Sequence, residues 1–234
     1  MENKDKLILA LDTSDLKEID SIINDVVPPL SFVKVGPVSF LPNSKELIDI
    51  ISSKNLSVMF DFKFFDIPNT IENSLKFLFD INTKIFTMHC LAGPGLIKSV
   101  LKELNNLEQQ LGKVRPDIFG VTILTSFDQK ELNSIGFNGS IADNVLKLVE
   151  TSVSAGIDGV VCSGEEIDLI KNNFGDSVKI LVPGVRMELR DDDQKRIITP
   201  KQAIEKGADY LVLGRTLTDD PDKKKRINDI LNSL

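Results

Sequence analysis

The chain has no tryptophan, a single histidine (His89) and two cysteines (Cys90 and Cys162) in 234 residues. These shortages exclude several chemistries. A Ser-His-Asp triad has only His89 to draw on, and no nucleophile elbow is present. No cluster of His and Cys suits zinc or iron. The cysteines sit in or at the ends of apolar stretches and read as small buried residues, with nothing to indicate a disulfide. His89, beside Cys90 at a strand end, reads as a hydrogen-bonded structural residue. No apolar run is long enough to span a bilayer. The start, Met1-Glu2-Asn3-Lys4-Asp5-Lys6, has no apolar signal core, so the cytoplasm is the expected compartment. Positive charge is also short. Lys and Arg total 28 against 35 Asp and Glu, a net charge of −7, which argues against nucleic acid or an anionic membrane as partner. An anionic ligand must then be held by local positive charge.

What is present is an ordinary soluble composition, 41% hydrophobic and 27% charged. Short apolar runs alternate with helix-period segments. The runs are 7–11, 32–35, 58–62, 85–88, 118–123, 159–162, 180–182 and 210–213. The helical patterns are 16–26, 45–54, 70–81, 95–111, 141–155, 165–173, 200–206 and 221–231. Strands apolar on both faces, each followed by a helix, imply a parallel sheet covered by helices. Eight such units without a linker or repeat predict an α/β chain, a (β/α)8 TIM barrel forming a single domain over residues 1–234. A doubly wound open sheet is the alternative. It is weakened because Asp12-Thr13-Ser14 follows the first strand in place of a glycine fingerprint. The segment 183–196 is long, charged and opened by Pro183-Gly184, and its Asp191-Asp192-Asp193 run reads as a solvated insertion.

In such a barrel the active site lies at the carboxyl ends of the strands. Charged residues gather at those ends. Asp12 closes strand 1, and Lys34 lies within strand 2. Strand 3 carries Asp61 and Lys63 on one face, with Phe60 and Phe62 on the other and Asp66 just beyond. A lysine in an apolar strand needs a partner, and Asp12 and Asp61 are the adjacent-strand candidates for Lys34. Strand 5 leads into Thr125 and Ser126. Strands 7 and 8 lead into Gly184, Arg186, Gly214 and Arg215. The ends of strands 7 and 8 are the usual phosphate site of these barrels. Glycine there admits backbone N–H groups, and arginine forks onto phosphate. A small phosphorylated substrate is therefore expected.

Taken in order, Leu9-Ala10-Leu11-Asp12, Val33-Lys34-Val35-Gly36, Asp61-Phe62-Lys63-Phe64-Phe65-Asp66-Ile67-Pro68-Asn69-Thr70, Val121-Thr122-Ile123-Leu124-Thr125-Ser126, Pro183-Gly184-Val185-Arg186 and Leu213-Gly214-Arg215 resemble the orotidine 5′-phosphate decarboxylase family. The resemblance runs from Leu7 to about Pro221. It implies conversion of orotidine 5′-monophosphate to uridine 5′-monophosphate and CO2, with no cofactor and no metal, by a homodimer. It implies that Lys63 is the proton donor, and that Asp61, Asp66 and Lys34 complete the catalytic set. Asp66, Ile67 and Thr70 would reach the partner's site. Asp12 and Lys34 would take the ribose, Thr125 and Ser126 the pyrimidine edge, and Arg186, Gln194, Gly214 and Arg215 the phosphate. Related barrels share the strand 3 motif but act on sugar phosphates with Mg2+. They carry an acidic metal ligand where this chain has Lys34. A third possibility is a barrel that binds a nucleotide phosphate without turnover. Two departures from the family stand out. The stretch from Arg186 to Gln194 is about one residue shorter than is common in bacterial members and lacks their small residues, and Phe65 stands where relatives often carry histidine or another polar residue.

Overall fold

A computed structural model describes residues 2–187 and 198–234. Its elements run β1 (Leu7–Leu11), α1 (Leu16–Val26), β2 (Phe32–Val35), α2 (Pro37–Ser53), β3 (Ser57–Phe64), α3 (Pro68–Asp80), β4 (Thr83–His89), α4 (Gly93–Leu111), β5 (Asp117–Val121), α5 (Gln129–Ser134), α6 (Ile141–Ser154), β6 (Gly159–Val161), α7 (Ile167–Phe174), β7 (Lys179–Pro183), α8 (Pro200–Glu205), β8 (Tyr210–Leu213), α9 (Arg215–Thr218) and α10 (Lys223–Ser233). The eight strands pair in sequence order, and β8 returns to β1, so the sheet is a closed parallel barrel. The expected (β/α)8 architecture is the observed one, and the open-sheet alternative falls away.

Alternation along each strand divides the core in two. Leu7, Leu9 and Leu11 of β1 face the helices. Ile8 and Ala10 face inward, where they meet Phe32, Met59, Ile85, Phe119, Leu181 and Val212 in the barrel interior. Each large apolar side chain so buried contributes about 1.5–3 kcal/mol. Gly159 makes room for this filling, because a Cβ there would overlap the Phe119 ring.

The helices start where local chemistry starts them. The Asp15 carboxylate accepts the N–H groups of Lys17 and Glu18 and caps α1. Pro68 opens α3, where its missing N–H costs nothing. Gly112 ends α4 at φ +64°, a left-handed turn that glycine adopts without strain. The second helix begins at Pro37 rather than at 45, because Pro37 suits a first helical turn. Pro42 then kinks it, and Asn43 leaves helical geometry at φ −138°. The Asn43 side-chain amide donates to the Ser14 carbonyl at 2.7 Å, tying this kink to the loop after β1. Among the described residues no helix is long and apolar enough to cross a membrane.

Candidate active site

Four charged groups form a chain at the mouth of the barrel. The register pairs Lys34 with Ala10 on one side and Met59 on the other, which aims its side chain inward. Its ammonium meets Asp12 Oδ1 at 2.7 Å and Asp61 Oδ2 at 3.6 Å. The other oxygen of Asp61 receives the Lys63 ammonium at 2.9 Å. Sign thus alternates along Asp12, Lys34, Asp61 and Lys63. The Lys34 and Asp61 side chains are each 12% exposed, whereas Lys63 is 42% exposed and open to the cavity. Burial alone pushes the Asp61 carboxyl up. Lys34, Lys63 and hydrogen bonds from Lys63 and Thr87 outweigh it and hold the group below its ordinary value. Asp61 is therefore ionised at neutral pH and holds an ammonium on either side.

The alternation expected along β3 holds as far as Phe62. Phe60 and Phe62 stack at 4.2 Å on the outer face, opposite Asp61 and Lys63. Then the ladder slips. Phe60 pairs with Phe86, but Phe64 pairs with Met88, and Lys63 takes φ +48°. Thr87 sits opposite the slip. Its hydroxyl accepts the Lys63 N–H at 2.9 Å and donates to Asp61 Oδ1 at 3.0 Å. The sequence does not single out Thr87 as a site residue. Its one signal is a hydroxyl in the otherwise apolar run 85–88.

These groups line a cavity of about 580 Å³, within the usual range for small-ligand sites. Met59, Leu181 and Val212 form its apolar floor. Of the predicted residues, Asp12, Lys34, Asp61, Lys63, Thr125, Arg186, Gly214 and Arg215 line it. Arg186 is buried, with its backbone N–H donating to Ile198 at 3.0 Å, while Arg215 is the first residue of α9. Gly184 has φ +70°, which a side chain would strain. Thr216 donates to the Val185 carbonyl at 2.8 Å and ties the ends of β7 and β8 together.

Other predicted residues lie outside the cavity. Asp66, Ile67, Thr70 and Ser126 are all exposed, and none of them lines it. Asp66 Oδ1 accepts the Ile67 N–H at 2.7 Å within its own loop. Gln194, with most of the 186–194 stretch, lies outside the described residues. His89 Nδ1 accepts the Leu91 N–H at 3.3 Å, and its ring lies 5.9 Å from that of Phe65. Burial and the Lys63 charge push its pKa down, so it is neutral at pH 7. Cys90 is buried and its thiol is pushed up to about 11, so it is no nucleophile. Among the described residues no group of acids, histidines and cysteines could hold a metal ion.

The model of the family described as "Orotidine 5'-phosphate decarboxylase / HUMPS family" matches residues 5–230. The chain belongs to that family. An orotidine 5′-phosphate decarboxylase of Carboxydothermus hydrogenoformans is 38% identical over 91% of this chain and 89% of its own. One from Actinobacillus pleuropneumoniae is 36% identical over the full length of both. The crystal structure of orotidine 5′-phosphate decarboxylase from Lactobacillus acidophilus superposes with a TM-score of 0.85 at 30% identity, covering 98% of each chain. As a member of the orotidine 5′-phosphate decarboxylase / HUMPS family, the chain presents its alternating charges at the end of the barrel where such barrels do their chemistry.

Proposed function

We propose that this chain decarboxylates orotidine 5′-monophosphate to uridine 5′-monophosphate and CO2, the last step of de novo pyrimidine synthesis, without a cofactor. It acts as one catalytic domain over residues 1–234, in the cytoplasm, as a homodimer. The observation that carries this reading is the run Asp12, Lys34, Asp61, Lys63. Breaking the bond from C6 of the pyrimidine to its carboxylate releases CO2 and leaves the electron pair on C6, in the ring plane. The Lys63 ammonium supplies positive charge where that pair develops and then gives C6 a proton, taking another from solvent afterwards. Asp61 keeps Lys63 charged and in place. A carboxylate near the substrate carboxylate also raises the ground state. Lys34 and Asp12 bind the ribose hydroxyls, and Thr125, with Ser126 next to it in the chain, faces the pyrimidine edge. Arg186, Gln194, Gly214 and Arg215 hold the phosphate, whose binding energy is available to the chemical step.

Two features favour this reading over a Mg2+-dependent sugar-phosphate lyase. Strand 2 presents the Lys34 cation where a metal would need an anion. Both oxygens of Asp61 already face ammonium groups, so a divalent ion would have to displace them. Exposed apolar side chains support the dimer. Phe65 and Ile67, flanking Asp66, are 63% and 65% exposed, and Leu41 is 71% exposed. Asp66 is exposed and does not line its own cavity, which supports a role in a partner's.

Absorbance tests this directly. Purified protein should consume orotidine 5′-monophosphate at the same rate with and without EDTA. Binding without turnover, or loss of the rate to EDTA, would favour the competing readings. In the same assay Arg215→Ala should lose most of its kcat/KM on the intact nucleotide, about 10-fold or more. It should match the unaltered protein on a substrate lacking the phosphate. An equal loss on both substrates would show that Arg215 does not act through the phosphate.

A further inference from the structure

Thr87 lies between Phe86 and Met88, and all three are 0% exposed. A hydroxyl so placed needs partners. Both of its partners belong to the charged chain. The Lys63 N–H can only donate, so the hydroxyl oxygen accepts there, at 2.9 Å. Its one proton then goes to Asp61 Oδ1, at 3.0 Å. The arrangement has a single sense.

These contacts fall where β3 leaves the ladder. From Phe60 to Phe64 the strand advances four residues while β4 advances two, from Phe86 to Met88. Asp61, Phe62 and Lys63 all stand opposite Thr87. Lys63 sits in this bulge at φ +48°, a conformation that non-glycine residues seldom take without support. Bulges beside active sites commonly re-aim a side chain, and here the re-aimed side chain is the ammonium.

We propose that Thr87 is a positioning residue. One hydroxyl fixes both the bulged backbone that carries Lys63 and the carboxylate that Lys63 pairs with, and so sets where the ammonium stands relative to the reacting carbon. The proposal rests on the function proposed above. Its effect should be large, because proton donors act over about 2.6–3.2 Å. A displacement of about 1 Å can cost 100-fold. Valine keeps the shape of threonine and removes both hydrogen bonds. Serine restores them.

Two measurements compare Thr87→Val and Thr87→Ser with the unaltered protein. In steady-state kinetics on orotidine 5′-monophosphate, Thr87→Val should lower kcat roughly 10- to 100-fold. KM should change by less than about 3-fold, and serine should recover most of kcat. The second measurement uses no substrate. Carbon-13 NMR of aspartate-labelled protein follows the Asp61 carboxyl. Its titration should move upward in Thr87→Val and return in Thr87→Ser, because one of the bonds that hold the group low against burial has gone. Should Thr87→Val fail to fold, Thr87→Cys takes its place, with the shape of the serine variant and a far weaker donor. The same losses are expected of it. An unchanged kcat, a KM that rises as much as kcat falls, or an Asp61 titration that stays put would overturn the proposal. If the unaltered protein turns over no orotidine 5′-monophosphate, the proposed function fails, and the Asp61 titration alone decides the role of Thr87.

Discussion

Lys63→Ala should abolish turnover and leave a folded dimer. In the proposed mechanism the Lys63 ammonium has two jobs, stabilising charge at C6 and delivering a proton there. General acid catalysis alone is worth about 100- to 10,000-fold, and preorganised charge adds at least about another 100-fold. Lys34 cannot take over, because it stands 2.7 Å from Asp12 and is committed to the other oxygen of Asp61. His89 cannot either, because burial, the larger of the two influences on it, still holds it neutral when the Lys63 charge is gone. The fold should survive. The Lys63 side chain is 42% exposed, and Asp61 keeps Lys34 and the Thr87 hydroxyl when Lys63 is shortened. Absorbance kinetics, circular dichroism and gel filtration on one preparation test all of this. Retention of even about a tenth of the activity would contradict the role, given the magnitudes involved.

Activity should return when inactive Lys63→Ala is mixed with inactive Asp66→Ala. The Asp66 loop lies outside its own cavity, between exposed Phe65 and exposed Ile67. If Asp66 completes the partner's site, one site of a mixed dimer carries both defects and the other carries neither. Equal mixing gives half mixed dimers, each with one good site of two. Roughly a quarter of unaltered activity is then expected for statistical pairing and independent sites. Tagged subunits establish that exchange has occurred. Mixed dimers without activity would mean that Asp66 serves its own subunit's site, or that the interface lies elsewhere.

The strands were legible because they are apolar on both faces, and β1, buried at all five positions, shows why such a run cannot be a surface element. The ion-pair chain was legible for a related reason. A lysine inside Phe32-Val33-Lys34-Val35 demands an acid nearby, and the neighbouring strand ends offered only Asp12 and Asp61. The true start of α2 was hidden, because Pro42-Asn43 looks like a break and proves to be a kink within one helix. The helix α5 went unseen because it has six residues, of which only Leu132 is buried, too little for a period to register. The bulge opposite Thr87 could not be read at all. It depends on how two strands 24 to 26 residues apart in sequence meet, and threonine is an ordinary strand residue until its neighbours are known. Ser126 was named from the sequence, which places it on a loop but does not aim it, and it does not line the cavity.

The most direct test of the account is a complete turnover in D2O after exhaustive chelation, with CO2 and nucleotide both measured. One CO2 is expected for each uridine 5′-monophosphate formed, with a deuterium at C6 of the product and a rate that chelation does not change. Unconsumed substrate, CO2 release out of step with product, or a rate that returns only with added Mg2+ would contradict it.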